Sequence, residues 1–416
     1  MKKILIYDDN GDVVRTEPIG MDADNVSVSV DGLDSTDAQS AIEEVNNALS
    51  NITSGSGFTS GVVVDDVGAV QQAVGNIAEG TNINGMAVSD VLKAAYASTP
   101  DKVTLLHLSD THGGTASINA CVQDAKNDEG VALVLHTGDI ASSASYNALL
   151  AADCEQPVLG ILGNHDSWDN YAQNNSTAVN AMRTLNGNNV TWAGNDVCYW
   201  YKDIQSSNGK TIRIIAPDEY DYSNGAGHIY SIVYTQQQME WLLDLLYNTP
   251  SNYYIILAIH QPPQSNTGAA DDWTSYGTTS YSGPDAYWLP KIIDAYTRRI
   301  AFQGTFKPVY KEALNFSVFK DFSTLEQSAT FLCYLCGHMH GDWCGYLNSY
   351  PDQLVLDVTR ADSVASVGHD DVDRTSISYA ANKVTFDFAL RKIIIKRIGS
   401  TALTGGGVRK YKTFDF

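Results

Sequence analysis

The sequence predicts an α/β fold, and three observations carry that prediction. Apolar, β-branched runs recur along the longer, C-terminal part of the chain, with helix-period patterns between the first of them. Five of these runs each end in a short segment of Asp, His, Asn and Gly. Turn and cap residues fall between the runs where hairpins and helix starts need them. Residues 1–100 read differently, as an elongated segment with short helices, so the expected organisation is 1–100 followed by a single domain over 101–416.

Residues 103–108, 131–135, 157–162, 253–259 and 330–336 are the five strand-like runs, and 117–127 and 146–154 read as crossover helices between the first three. Asn208-Gly209 is a hairpin turn signal between 198–203 and 211–216. Thr235 and Gln238 form a capping box for a helix carrying Met239, Leu242, Leu243 and Leu246. An insertion over 262–330 is rich in aromatics, among them Trp273, Tyr276, Tyr281, Trp288, Tyr296, Phe302, Phe306 and Tyr310. Two readings stand for it: the wall of a substrate pocket, or a small core of its own. Its two arginines, Arg298 and Arg299, would reach a phosphate or, as the sequence favours, pair with surface acids. The β-branched runs 383–390 and 391–398 read as closing strands, and Gly405 to Gly407 lead into a tail.

The chemistry lies just past the strand ends. Asp110 and His112 follow the first run, Gly138 and Asp139 the second, and Gly163, Asn164, His165 and Asp166 the third. His260 follows the fourth, and Gly337, His338, Met339 and His340 the fifth. In an open α/β sheet the carboxyl edge is where ligands bind. Carboxylate, amide and imidazole groups converging there would hold two hard-to-borderline metal ions.

The order and spelling of these segments resembles the calcineurin-like metallophosphoesterases over roughly residues 101–400. The resemblance implies a β-sandwich flanked by helices, with a dinuclear centre at the strand ends. Asp110, His112 and His340 would hold one metal, Asn164, His260 and His338 the second, and Asp139 would bridge them. His165 would be the histidine that acts on the phosphoryl group or the leaving oxygen. One departure stands out. Many members carry an Asp three residues after the bridging one to orient that histidine, and here the position is Ser142. Asp166 is the candidate substitute.

These residue types suit phosphoester hydrolysis. A phosphate ester is anionic and repels hydroxide. Two cations about 3.5–4 Å apart clamp the phosphoryl oxygens and lower the pKa of a bridging water from about 15.7 to about 7, which then attacks in line. The expected cofactors are therefore two divalent or trivalent ions (Mn, Fe, Zn or Ni), identity not being readable from His/Asp/Asn donors. The expected activity is phosphoester hydrolysis, a phosphodiesterase by preference.

Other histidines and the cysteines read as structural. His107 and His136 sit in or at the end of apolar strands. His228 and His369 have no motif around them, although His228 lies in a Gly/Asn-rich loop. Cys333 and Cys336 make a Cys-x-x-Cys with Cys344 beyond it. Residues three apart in a strand face opposite ways, so burial as small apolar residues fits better than a zinc knuckle.

Six cysteines in 416 residues are too few for a disulfide framework and fit a reducing cytosol. The formal net charge of −22 excludes a broad basic surface for nucleic acid. No run reaches membrane-spanning length, and the opening Met-Lys-Lys-Ile-Leu-Ile-Tyr stops at Asp8, too early for a leader. Residues 1–100 hold 15 acidic and 4 basic residues, a net −11, without Cys or Trp. Within them Ala38, Ile42, Val45, Leu49 and Ile52 form a heptad seam behind the capping box of Thr36 and Gln39, and Val67, Val70, Val74 and Ile77 repeat the spacing. A weaker helical stretch spans 88–97. The seams favour self-association over packing on the following domain.

Residues 30–45 also resemble a short element of bacteriophage tail-fibre and receptor-binding proteins, which opens a helix in a trimeric shaft. That resemblance implies a homotrimer and a virion or prophage appendage, made in host cytoplasm without a leader. An enzyme so carried would act on cell-envelope phosphodiesters. The competing expectations are a non-catalytic virion protein on the same fold and a soluble cytoplasmic nucleotide phosphodiesterase.

Overall fold

The computed structural model describes residues 101–126, 130–152, 155–166, 176–221, 232–263, 287–307, 315–340, 343–358, 379–399 and 411–416, with short strands at 3–7, 13–18, 82–83, 86–87, 372–373 and 401–402. The chain divides into two units, 1–102 with 387–392, and 103–386 with 393–416. In the first, Lys3–Tyr7 pairs antiparallel with Val13–Pro18, and Asn82–Ile83 with Met86–Ala87. The opening apolar run is thus a strand. The helices expected at 36–52, 67–77 and 88–97 lie outside the described residues, as do the tail-fibre-like residues 30–45.

The second unit is a mixed α/β sandwich. Its first strands are β1 (Lys102–Leu108), β2 (Val131–His136) and β3 (Val158–Gly160), paired parallel. Helices α1 (Thr115–Lys126), α2 (Ser143–Leu150) and α3 (Ser176–Asn186) connect or follow them. Next come β4 (Thr191–Trp192), β5 (Trp200–Gln205), β6 (Thr211–Ala216), α4 (Gln236–Tyr247), β7 (Tyr253–Ala258), α5 (Trp288–Thr297), β8 (Ala301–Phe306) and β9 (Phe316–Asp321). The chain closes with β10 (Thr330–Cys336), β11 (Trp343–Leu347), β12 (Tyr350–Asp357), β13 (Ala380–Asp387), β14 (Lys392–Gly399) and β15 (Tyr411–Asp415). Among the described residues one sheet runs β15-β14-β13-β1-β2-β3 and the other β11-β12-β10-β7-β6-β5-β4.

Strand composition explains the layering. β6 is buried at every position, and β7 and β10 are buried along most of their lengths. Parallel strands with both faces covered read as such continuous apolar runs. Leu106, Leu108 and Val134 pack with Cys121 of α1 on the first sheet. Ile118, Val122, Leu149, Met182 and Leu185 fill the space among α1, α2 and α3. On the second sheet, Ile215, Leu257 and Tyr334 pack against Leu242 and Leu246 of α4 and Ile292 and Ile293 of α5.

The expected elements recur with small shifts. The β5–β6 hairpin closes through Ser206 N to Lys210 O at 2.8 Å and Gly209 N to Ser206 O at 3.1 Å, with Gly209 at φ +80° as the Asn-Gly signal requires. Thr235 does cap α4, its Oγ1 accepting from Gln238 N. The other half of the expected capping box is absent. The Gln238 side chain instead accepts from Asp218 N at 2.8 Å and donates to Asp218 O at 3.0 Å.

Within the insertion, Trp288, Tyr296, Phe302 and Phe306 are core residues, packed with Tyr234 and the second sheet. Phe306 stacks on Phe316 with centroids 4.9 Å apart. Of its two readings, the described aromatics favour a core over a pocket wall. Trp273, Tyr276, Tyr281 and Tyr310 lie outside the described residues. Arg298 pairs with Asp294 one turn earlier, and Arg299 donates to Glu326 O, so neither is spent on a phosphate.

Candidate metal centre

Parallel pairing does not stop where the strands do. Beyond β1 and β2, Asp110 N donates to Gly138 O and His112 N to Asp139 O, both at 3.0 Å, and Gly113 N to Ile140 O at 3.2 Å. Across the sandwich, Ile259 N donates to Leu335 O and Gly337 N to His260 O. Each set of loops is thus pinned within its own sheet, and His338 N, donating to Asp110 Oδ2 at 2.8 Å, ties the two sets together.

Close approach explains the glycines. A Cβ on Gly163 would strike the Asp139 carboxylate, one on Gly138 the His260 ring, and one on Gly337 Ser109 and Asp110. Asp166 ties the first loops together: its carboxylate accepts from Asp139 N at 2.9 Å, Gly163 N at 2.8 Å and Ala141 N at 2.7 Å.

These constraints bring all seven expected donors and His165 into one cluster. Asp110, His112, Asp139 and His340 form one group able to hold a metal ion, and Asp139, His260 and His338 a second. His112 Nε2 lies 2.9 Å from His340 Nε2, and both approach Asp110 Oδ1, at 3.6 and 3.3 Å. Asn164 Oδ1 lies 2.9 Å from His338 Nδ1 and 3.2 Å from His260 Nε2. Asp139 Oδ2 is 3.4 Å from His260 Nε2, 3.8 Å from His112 Nε2 and 4.0 Å from His165 Nε2. His260 Nδ1 lies 2.7 Å from Thr137 O. A carbonyl only accepts, so Nδ1 carries a proton there and Nε2 is the nitrogen turned to the cluster.

The electrostatics fit a cation. Burial works to raise the pKa of Asp110, but the His112 and His340 imidazoles beside it hold it well below the usual carboxylate range. Burial likewise opposes ionisation of Asp139, and the nearby charge of His260 reverses it. Each buried carboxylate keeps one oxygen, Asp110 Oδ1 and Asp139 Oδ2, without a hydrogen-bond partner. Burial would lower His260, yet Asp139 and Asp110 bring it up to about 10. His338 is pushed down to about 3 by burial and by His260. Two ionised, half-satisfied carboxylates among imidazoles form a donor set that suits a divalent metal, because such buried oxygens are costly without a positive partner.

The remaining expectations sort as follows. His107 Nε2 bonds Thr137 Oγ1 at 2.9 Å and His136 Nε2 bonds Thr111 Oγ1 at 3.0 Å. Burial lowers both to about 3, so they are neutral structural residues. Cys333, Cys336 and Cys344 are buried and form no disulfide with one another, with Cys336 Sγ directed at Leu356 O. His228 and His369 lie outside the described residues.

Ser142 caps α2, accepting from Ser145 N at 3.1 Å. Asp166 does not stand in for the missing Asp. Its oxygens are engaged by backbone N–H groups, which corrects the expectation that it would orient His165. His165 instead has its backbone N–H bound to Asp139 Oδ1 at 2.8 Å.

Sequence reading missed Glu219, buried after β6, whose Oε2 accepts from His260 N at 2.7 Å and Gln261 N at 2.6 Å. The available signal was its place: an acidic residue just past a buried strand, at the same sheet edge as the histidine loops.

The calcineurin-like phosphoesterase family model matches residues 103–342. Among solved structures, a predicted phosphoesterase from Streptococcus pneumoniae is 10% identical, over 76% of this chain and 98% of that one, with a TM-score of 0.28. GAP50, the anchor in the inner membrane complex of Plasmodium, is 14% identical over 76% and 89%, with a TM-score of 0.42. Phosphopantetheinyl hydrolase from Mycobacterium tuberculosis is 13% identical over 65% and 91%, with a TM-score of 0.34. None of these likenesses speaks to substrate. A search among curated proteins finds no match. The family match spans more than half of the chain and takes in every loop of the Asp/His cluster, so the chain belongs to the calcineurin-like phosphoesterases, metal-dependent hydrolases of phosphoric ester bonds.

Proposed function

We propose that the chain is a dinuclear metal-dependent phosphodiesterase. One observation carries the reading: Asp139 Oδ2, buried and without a hydrogen-bond partner, sits where two groups of donors meet. Asp110, His112 and His340 would hold one ion and Asn164, His260 and His338 the other, with Asp139 shared. Bound there, such ions supply charge neutralisation at the phosphoryl group and water acidified to near neutral pH.

The chain's own residues arrange the rest. Asp139 Oδ1 is occupied by His165 N–H, which leaves Oδ2 for the centre. Thr137 O fixes the His260 tautomer with its second nitrogen toward the donors. His165 is part-exposed, and burial lowers its pKa against the pull of Asp139. Its ring would bond the phosphoryl oxygen through an N–H or, as the imidazolium, deliver a proton to the departing alkoxide and return to the neutral form.

Charge favours a diester. The described segments around the centre, 109–114, 137–143, 162–166, 216–221, 259–263 and 336–340, contain no Lys or Arg. A monoester carries about −1.5 to −2 charges at neutral pH and a diester one, so a centre without cationic side chains suits the diester. The tail-fibre-like residues 30–45 add a context in which cell-envelope phosphodiesters would be the substrate.

The test is a panel of chromogenic mono- and diesters, with teichoic acid as a polymeric diester, assayed with Mn, Fe, Zn and Ni. Diesters should turn over faster than the matching monoesters. Preference for monoesters, or no cleavage with any metal, would overturn the reading.

A further inference from the structure

Glu219 lies on a short segment that leaves the second sheet just after β6. It is 2% exposed and belongs to none of the donor groups. Pairing between β6 and β7 ends at Ile215 and Leu257, so no strand remains on that side to accept the N–H groups that follow. On the other side the ladder runs on, with Ile259 N donating to Leu335 O and His260 O accepting from Gly337 N. The Glu219 carboxylate fills the missing place, one oxygen accepting from both His260 N and Gln261 N.

The segment holding that carboxylate is itself fixed. Gln238 of α4 bonds both N and O of Asp218, Asp218 Oδ1 accepts from Tyr220 N, and Glu219 O accepts from Val233 N at 2.8 Å. The Tyr220 ring lies edge-on to His260 with centroids 6.0 Å apart. His260 is thus held at two points: its ring by Thr137 O from the first sheet, and its backbone by Glu219 from the second. In this arrangement Nε2 lies 3.4 Å from Asp139 Oδ2 and 3.2 Å from Asn164 Oδ1.

We propose that Glu219 is a positioning residue for the Asn164/His260/His338 half of the centre, gripping the backbone of His260 and Gln261 so that the His260 ring stays on its metal. The proposal rests on the dinuclear reading above. It makes a separable claim, that reach to the two N–H groups matters and charge does not. Glu219→Gln keeps an acceptor oxygen at the same reach and removes the charge. Glu219→Asp keeps the charge and is one methylene too short for both bonds.

The full chain is stripped with chelator and titrated with Mn or Zn alone, reading ions bound per chain and the affinity of each, with His260→Ala as the reference. Partners of this kind are worth about 10–100-fold in metal affinity. Wild type should bind two ions and His260→Ala one. Glu219→Gln should stay within about threefold of wild type, while Glu219→Asp weakens one ion by about 10–100-fold and leaves the other unchanged. The proposal is overturned if Glu219→Asp binds both ions as wild type does, or if Glu219→Gln loses the ion as severely as Glu219→Asp. A wild type that binds fewer than two ions, or a His260→Ala that keeps both, would overturn the dinuclear reading and the proposal with it.

Discussion

A left-handed backbone at a residue with a Cβ costs on the order of 1–2 kcal/mol, and this chain accepts that cost repeatedly in one place. Asp110, His112, Asp139, Ala141, His338 and His340 all have φ between +43° and +71°. Only Arg299 and Arg391 share that conformation elsewhere among the described non-glycine residues. The loop-to-loop hydrogen bonds and the Asp166 carboxylate hold the strain, as is usual where donors must converge. Except for Ala141, the identities of these residues were legible in the sequence, because Asp and His past strand ends stand out. Their conformations were not, since nothing in a sequence marks a non-glycine residue for positive φ. The role of Asp166 was misread for a related reason: a short polar side chain ties loops as readily as it serves chemistry. Removing His165 tests what is left of the catalytic reading. His165→Ala should leave metal content unchanged and slow turnover by about 10²–10⁴-fold. The loss should shrink for esters whose leaving group is already acidic, since those need no proton. Loss of an ion, or an equal loss for every leaving group, would count against the role.

At the scale of elements, the five strands that lead into the centre lie close to where the sequence put them, because a buried parallel strand is a continuous apolar run closed by a turn. The β8–β9 hairpin was not legible. β8 alternates exposed and buried positions with Phe302, Gly304 and Phe306 inward, a pattern too short, and interrupted by a glycine, to mark a strand within the insertion. The aromatic content of the insertion drew attention to a pocket, while the described rings are spent on packing. Phe306 is fully buried, stacked on Phe316 and 5.0 Å from the Trp288 ring. Phe306→Ala should therefore lower unfolding free energy by about 3–5 kcal/mol, read by denaturant titration. Its kcat should stay near wild type at temperatures where it remains folded, because the hairpin supplies no donor to the centre. A stable variant with a large loss in kcat would return the insertion to the substrate pocket.

For the whole molecule, charge and covalent order point to two polypeptides of different kinds. Half of the net −22 lies in residues 1–100, and the division of the chain falls at Lys102. No helix among the described residues is long and apolar enough to cross a membrane. If the seams at Ile42, Val45 and Leu49 pair chains, the full protein should be a trimer by light scattering. A chain beginning near Lys102 should then be monomeric with turnover intact. A monomeric full chain at micromolar concentration would remove the shaft and the virion context with it. The hydrolase itself stands or falls on its metals. The most direct measurement is elemental analysis of the reconstituted protein beside Asp139→Asn, with turnover assayed on both. Two transition-metal ions per wild-type chain, with ion binding and turnover both lost in a folded Asp139→Asn, is the expected result. No bound metal in wild type, or full activity in Asp139→Asn, would contradict it.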